Sequence, residues 1–280
     1  MLSRSLRISP SVCLFLLFCA FLGWQLSHGP ILGQPIDPAG PGAGEPKMPL
    51  RIAVVTMVTD EKSYIHMSLK NKDYYARRHG YDLVVDFEAH SDLGTTWWKY
   101  NMMERLIKSN KYDWMWWIDF DTLITNTDIK VAEIIQETLA NATNPDDIDF
   151  LTTHDCNGLN TGSFVVRSRE SSVKYLRDTY DIHAVAKSRG EQYSEQDAMA
   201  KLSRIDPESA KRTLQVPQWK MNAFPQEIAC FDESRQVWKH GTFVIHFAGA
   251  WAHVKGDDPT GQMMRKYEKE IIWGDWKGLF

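Results

Sequence analysis

The chain lacks the basic excess that phosphate-backbone binding demands: 32 lysines and arginines are outweighed by 36 acids, for a net charge of -4. That excludes nucleic acid as a partner. Cysteine is scarce, with four in 280 residues. Cys13 and Cys19 fall in an apolar segment near the start, and only Cys156 and Cys230 lie beyond it. Two lone cysteines do not make a metal site, and sequence leaves open whether they meet in a disulfide. There is also no long hydrophobic run. The apolar stretch "VCLFLLFCAFLGW" at 12–24 is 13 residues, against the roughly 20 that span an average bilayer as a helix. Internal repeats are absent, and the one low-complexity segment is the Pro/Gly-rich "GPILGQPIDPAGPGAGEPKMP" that follows.

What is present is a core-forming composition, 43% hydrophobic and 12% aromatic, ample for a globular domain. Arg4 and Arg7 before the apolar run, and the spacer behind it, read as a targeting segment, either a cleaved signal peptide or an uncleaved anchor. The lack of a small-x-small site close behind the run favours the anchor. The positive flank then stays inside and the rest of the chain is lumenal. The expected division is a cytoplasmic tail (1–11), a signal anchor (12–26), a stem (27–49) and a folded domain (50–280). Asn141-Ala142-Thr143 is a glycosylation sequon, consistent with secretion.

The domain opens with "RIAVVTMVT" at 51–59, a β-branched run that reads as a fully buried strand. Helical spacing over 64–79 stops at Gly80, a strand follows at 81–87 and a second helix at 98–109. This β-α-β-α order begins a doubly wound α/β sheet. Strands are expected at 113–118, 149–154, 161–167 and 241–247, and helices at 170–180, 195–202 and 260–273.

"WMWWIDFDTLI" at 114–124 carries an apolar strand into Asp119 and Asp121. Buried carboxylates need a partner. Alternate residues on a strand share a face, and on the turn leaving it both can converge on a hard divalent cation at the sheet edge where open α/β sheets bind ligands. Such a pair more often caps a helix or faces solvent. "LNTGSFVVRS" at 159–168 reads as small polar residues in a turn before a strand, where amides could meet sugar hydroxyls; the plainer account is an ordinary turn. In "YSEQDAMAKL" at 193–202, Ser194 is a helix N-cap with Glu195 and Asp197 in the first turn, although two acids and Gln196 could also line a sugar pocket. "VIHFAGAWAHVKG" at 244–256 holds His246, Gly249 and Lys255. His246 is either a satisfied core histidine or the nitrogen that completes the carboxylate site, with Lys255 placed to neutralise a phosphate.

Together "YDWMWWIDFDTLITN", "LNTGSFVVRS", "SEQDAM" and "HFAGAWAHVKG", in that order, resemble glycosyltransferase family 34, which holds fungal Golgi α-galactosyl and α-mannosyl transferases and plant xyloglucan xylosyltransferases. The resemblance runs from Arg51 to the C-terminus. It implies a GT-A fold: one Rossmann-like domain with a mostly parallel central sheet behind an N-terminal membrane anchor, in a single-pass type II Golgi membrane protein. It implies a retaining, α-linking hexosyltransferase that takes galactose or mannose from UDP-galactose or GDP-mannose, with Mn²⁺ or another divalent cation. By the matching positions, Asp119, Asp121 and His246 would hold the metal, and Asp119, Asn160, Thr161, Gly162, Gly249 and Lys255 the donor. Glu195 and Gln196 would stand at the reacting carbon. Where relatives carry a second acid, this chain has Ser194, leaving Glu195 as the acid beside that carbon.

The acceptor expected is a mannose-containing glycan, and a Golgi glycosyltransferase complex is a further expected partner. Of the tryptophans, Trp114, Trp116 and Trp117 read as core, while Trp219, Trp238 and Trp251 are candidates for stacking on acceptor sugars, Trp251 being the one nearest the site. Two other classes compete: a non-catalytic lumenal subunit of a mannosyltransferase complex, which has no chemical need of a full ligand set, and a glycoside hydrolase. The acids of a hydrolase stand about 5 Å or more apart across a cleft, whereas Asp119 and Asp121 share one turn.

Overall fold

The computed structural model describes residues 49–87 and 92–275, and the residues from Pro49 onward form one compact unit. Apart from Pro49, the expected tail, anchor and stem lie outside the described residues. No helix among the described residues is long and apolar enough to cross a membrane.

A six-stranded sheet in the order β2-β1-β3-β6-β5-β7 organises the unit. Its strands are β1 (Ile52–Val58), β2 (Asp82–Phe87), β3 (Trp114–Ile118), β5 (Phe150–Asp155), β6 (Gly158–Arg167) and β7 (Thr213–Gln215). β1 pairs in parallel with β2 and β3, β5 in parallel with β7, and β6 antiparallel with β3 and β5, so only β6 runs against the rest. The sheet is thus mixed but mostly parallel.

Side-chain alternation explains why β1 and β3 are apolar throughout. Ala53, Val55, Met115 and Trp117 face one core, under helices α2 (Trp98–Lys108), α4 (Glu170–Ser188) and α5 (Glu195–Ile205). Ile52, Val54, Trp114 and Trp116 face another, under α1 (Ile65–His79) and α3 (Val131–Ala140). A strand covered on both faces has no polar side to show. α1 ends as its sequence requires: Gly80, at φ +67°, donates its N–H to Ala76 O and Arg77 O, and Arg77, Arg78 and His79 sit against the negative end of the helix dipole.

A second, two-stranded sheet joins β4 (Thr122–Ile124) antiparallel to β8 (Val244–His246). It packs with α9 (Pro259–Glu268) in a third core that includes Leu123, Ile245, Met264 and Tyr267. Three short helices, α6 (Pro207–Lys211), α7 (Gln218–Met221) and α8 (Ala250–His253), complete the unit.

Several expected bounds shift. β8 is three residues rather than 241–247, because the strand it pairs with, β4, is itself three residues and its other side meets only a single bridge, Ile245 to Ala223. α4 continues to Ser188, and α9 stops at Glu268 before Ile272 bridges to Asn126. "LNTG" lies within β6, not in a turn before it: the hairpin turns earlier, at Cys156 and Asn157, and Leu159 and Asn160 already pair with β5.

Cys156 in that hairpin turn is disulfide-bonded to Cys230, 74 residues on, in the loop after α7. Closing a loop of this size contributes on the order of 4 kcal/mol by restricting the unfolded chain. Replacing both cysteines by serine is expected to lower the unfolding free energy by about 2–5 kcal/mol, measured by urea denaturation against the oxidised parent. Adding reductant should then shift the parent and leave the double variant unmoved.

Candidate active site

β3 ends at Ile118 and delivers Asp119 to the C-terminal edge of the sheet, where its N–H donates to Gly162 O at 2.7 Å and its Oδ1 accepts from the Trp117 indole at 2.6 Å. The backbone that follows is held from below by one face of α1. Ser68 Oγ donates to Phe120 O (2.6 Å), Lys72 Nζ to Thr122 O (3.0 Å), and the Asn71 amide bonds both N–H and C=O of Ile124 (2.7 and 3.0 Å). Positions 68, 71 and 72 are neighbours on a helix surface, and all three side chains are fully buried. Burial pushes the Lys72 pKa down to about 7, against the opposing pull of Asp121 and Asp119.

From the other side, β8 pairs Thr122 with His246, and Phe247 N–H donates to Asp121 O at 3.0 Å. His246, 125 positions along the sequence from Asp121, thereby stands beside the turn. Its Nε2 lies 3.3 Å from Asp121 Oδ1 and 4.0 Å from Asp119 Oδ2, and one ligand atom from each residue falls within 4.8 Å of the others. Burial disfavours a charged imidazole, yet Asp121 and Asp119 outweigh it and raise the His246 pKa; Asp121, equally opposed by burial, is held low chiefly by His246. Two carboxylate oxygens and an imidazole nitrogen converging in this way are a donor set that suits a divalent cation, which would displace the proton they share.

The far nitrogen of His246 is fixed by a residue that no local sequence signal marks. Asn222 is fully buried, and its Oδ1 lies 2.8 Å from His246 Nδ1. Its Nδ2 donates to Thr153 Oγ1 (2.8 Å) and Asn160 Oδ1 (2.9 Å). Since the amide nitrogen faces two oxygens, the amide oxygen must face the ring, so Nδ1 carries a hydrogen and Nε2 is the atom free to ligate.

Across the cleft stands β6. Asn160 is committed internally, donating to Asp155 Oδ2 (2.8 Å) and accepting from Gly162 N–H (2.9 Å). Gly162 is required for space: a Cβ there would lie 2.1 Å from His246 Cε1. Thr161 Oγ1 donates to Glu195 Oε1 at 3.1 Å, and its N–H points to Gln196 Oε1 at 3.4 Å. Glu195 opens α5 behind a capping box formed by Ser194 and Asp197. Ser194 is the N-cap that its sequence suggests.

A second residue absent from the sequence reading is Lys99. It is buried, with Nζ 3.1 Å from Glu195 Oε1, 3.5 Å from Asp119 Oδ1 and 3.2 Å from both Thr161 oxygens. Burial would lower its pKa, but Asp119 and Glu195 outweigh this and raise it. Glu195, buried too, is held below the usual carboxylate range by Lys99. The signal was available: Lys99 shares the apolar helix face of Met102, Met103 and Leu106, where an unpaired lysine does not belong.

These groups border a cleft of 380 Å³, with Asp119, Asp121 and His246 facing Asn160, Thr161 and Gly162 and the α5 start at Glu195 and Gln196, and Gly249 at the rim. A smaller hollow of 220 Å³, sharing Lys99, Asp119 and Asp121, extends to Thr59, Lys62 and Tyr64 beyond β1. A wider concavity, 830 Å³ around Arg51, Gly80 and Tyr81, is at the opposite end of the sheet and holds none of these groups. Lys255 is exposed and does not border the cleft, and Trp251, 78% exposed on α8, does not either. Trp219 and Trp238 are half-buried, Trp238 against Tyr267, while Trp114, Trp116 and Trp117 are core.

Residues 51–256 match the galactosyl transferase GMA12/MNN10 family. The chain belongs to that family. Its relatives there include the "Probable alpha-1,6-mannosyltransferase MNN10" of Saccharomyces cerevisiae, 31% identical over 215 residues that cover 65% of this chain and 54% of the relative. The "Alpha-1,2-galactosyltransferase" of Schizosaccharomyces pombe is 27% identical over 214 residues, 65% of this chain and 55% of the relative. A "Probable xyloglucan 6-xylosyltransferase 5" of Arabidopsis thaliana is 35% identical over 118 residues, 40% of this chain and 25% of the relative. The chain thus spans little more than half the length of the two fungal relatives. The backbone also resembles a crystal structure of a glycosyltransferase involved in the glycosylation of the major capsid of PBCV-1, with a TM-score of 0.57 and 13% identity over 77% of this chain and 99% of that one; at that identity the likeness is one of fold. All four motifs that carry the resemblance fall within the span matched.

Lys99→Met would leave Glu195 buried and unpaired, at a cost of about 3–5 kcal/mol. The size of the deficit depends on pH. In the parent the depressed Glu195 pKa contributes stability that is present above the unfolded carboxylate value and lost as pH falls. In the variant the raised pKa contributes at acid pH and is lost as pH rises. Urea unfolding at pH 5 and pH 8 should show the larger deficit at pH 8.

Proposed function

We propose that the chain is a retaining, metal-dependent glycosyltransferase of GT-A type that moves galactose or mannose from a nucleotide sugar to a glycan, probed first with mannose-containing acceptors. The observation that carries this reading is the convergence of Asp119, Asp121 and His246 opposite Glu195 in one cleft at the sheet's C-terminal edge, in a chain of this family. A cation held by Asp119, Asp121 and His246 Nε2 would supply Lewis-acid stabilisation to the diphosphate leaving group. Mn²⁺ is the ion proposed. The hollow toward Thr59 and Tyr64 is where the nucleoside would extend, and the cleft toward Glu195 takes the sugar.

Glu195 is ionised and fixed, with Oε1 engaged by both Lys99 and Thr161. A carboxylate so committed is a poor nucleophile and a good local counter-charge for a sugar that becomes cationic at the transition state. This favours a front-face route, in which the departing phosphate oxygen takes the acceptor hydroxyl's proton while Glu195 stabilises the reacting carbon. The basic-flanked apolar run at 12–24 and the Cys156–Cys230 disulfide support placement as a type II protein in the Golgi membrane, with the domain on the oxidising, lumenal side.

The test is a donor-turnover screen of the full chain in detergent with UDP-galactose, GDP-mannose, UDP-xylose and UDP-glucose, with Mn²⁺ or EDTA. Turnover of one donor is expected, abolished by EDTA and reduced at least 100-fold in Asp121→Asn. No turnover of any donor would favour a non-catalytic subunit. Removing the hydrogen bond that orients a histidine ligand typically weakens metal binding by about 10- to 100-fold. Asn222→Leu should raise the Mn²⁺ dissociation constant by that factor in calorimetric titration.

A further inference from the structure

Gln196 lines more than the cleft. A second hollow of 350 Å³ begins at this same residue and runs past Tyr193 and Lys201 to Arg204. A third, also 350 Å³, shares Gly158, Leu159, Ala200 and Arg204 with the second and continues to His154 and Thr152. Gln196, Ala200 and Arg204 recur every fourth residue, so they form one stripe along α5, about 12 Å long at 1.5 Å per residue. Ala200 is the small residue at its middle, and the opposite wall is the β5–β6 hairpin.

We propose that this groove binds the acceptor as a neutral oligosaccharide, with the sugar to be modified at Gln196 and at least two further sugars lying along α5 toward Arg204. The inference rests on the transferase reading. A sugar chain presents hydroxyls to planar amide and guanidinium groups and C–H faces to apolar or aromatic surfaces. Asn157, Gln192, Gln196 and Arg204 supply the first, and Tyr193 and Leu159 the second. The groove starts at the residue that also lines the cleft beside Glu195, which is where an acceptor hydroxyl must arrive. The hairpin wall is tied at Cys156 to Cys230, which limits how far that wall can move when a ligand binds.

The experiment compares the full chain with Arg204→Ala and Ala200→Gln, using the donor that the screen selects and labelled mono- to tetrasaccharide ladders of mannose, galactose, xylose and glucose. Wild type should show KM falling at least tenfold from monosaccharide to trisaccharide in one ladder. Both variants should raise the trisaccharide KM about tenfold while the KM for donor stays within twofold. A flat length dependence, or variants that leave the trisaccharide KM unchanged, would overturn the groove and leave it a hydrated crevice. A second arm reads binding without turnover: the same trisaccharides are titrated into chain labelled at alanine methyls, with NMR shifts at Ala200 expected and their absence from every ladder overturning the proposal. If Ala200 shifts but no donor is consumed, the groove stands and the transferase reading falls.

Discussion

Everything in the cleft depends on the backbone of one turn, residues 119–124, being held from two sides. Ser68, Asn71 and Lys72 of α1 grip its carbonyls and one N–H from within the core, and β8 pairs with it along the open edge. Neither grip would suffice alone. The helix fixes where the turn lies but supplies no ligand, and a three-residue strand pair is too short to be independently stable. Jointly they place side chains from the two ends of the domain within one ion's reach. Burying an ammonium at Lys72 is costly, and two hydrogen bonds and the carboxylates above it offset that cost only in part, leaving its pKa lowered to about 7.

The charges around the cleft divide into two kinds. Glu195 has a resident cation, since Lys99 is built into the apolar face of α2 and reaches it at 3.1 Å. Among the described residues, Asp121 has only His246 at comparable range. Asp119 lies between the two, within 4.0 Å of each basic group. The acid proposed to stand beside the reacting carbon is thus permanently neutralised, while the pair proposed to meet the diphosphate leaves room for an ion that arrives with it.

How much of this was legible in the sequence followed from how local each signal was. The path of β3 into Asp119 and Asp121 could be read because an apolar strand ending in two acids is a contradiction within eight residues. Ser194 could be read because a capping box is complete within four. His246 could not be separated from an ordinary core histidine by its own surroundings, because its partners come from another segment; only resemblance singled it out. Asn222, in "KMNAF", carried no signal at all, its role being set wholly by Thr153, Asn160 and His246. "LNTG" was misread because small polar residues usually mark turns. Here they sit inside a buried strand, since they face the cleft and its neighbours rather than solvent. Lys255 was favoured for its charge and its place after a glycine-rich stretch, but the backbone beyond α8 carries it away from the cleft.

The contact between Gly162 and His246 makes one position a marker for the whole site. The imidazole stands against a backbone that has no room for a methyl group, so this placement of the histidine requires the glycine. Among chains of this fold, one that bears any side chain at the position of Gly162 must have moved or abandoned its imidazole. A search for members that have given up the ion and kept the scaffold can therefore begin at a single column, before either aspartate is inspected.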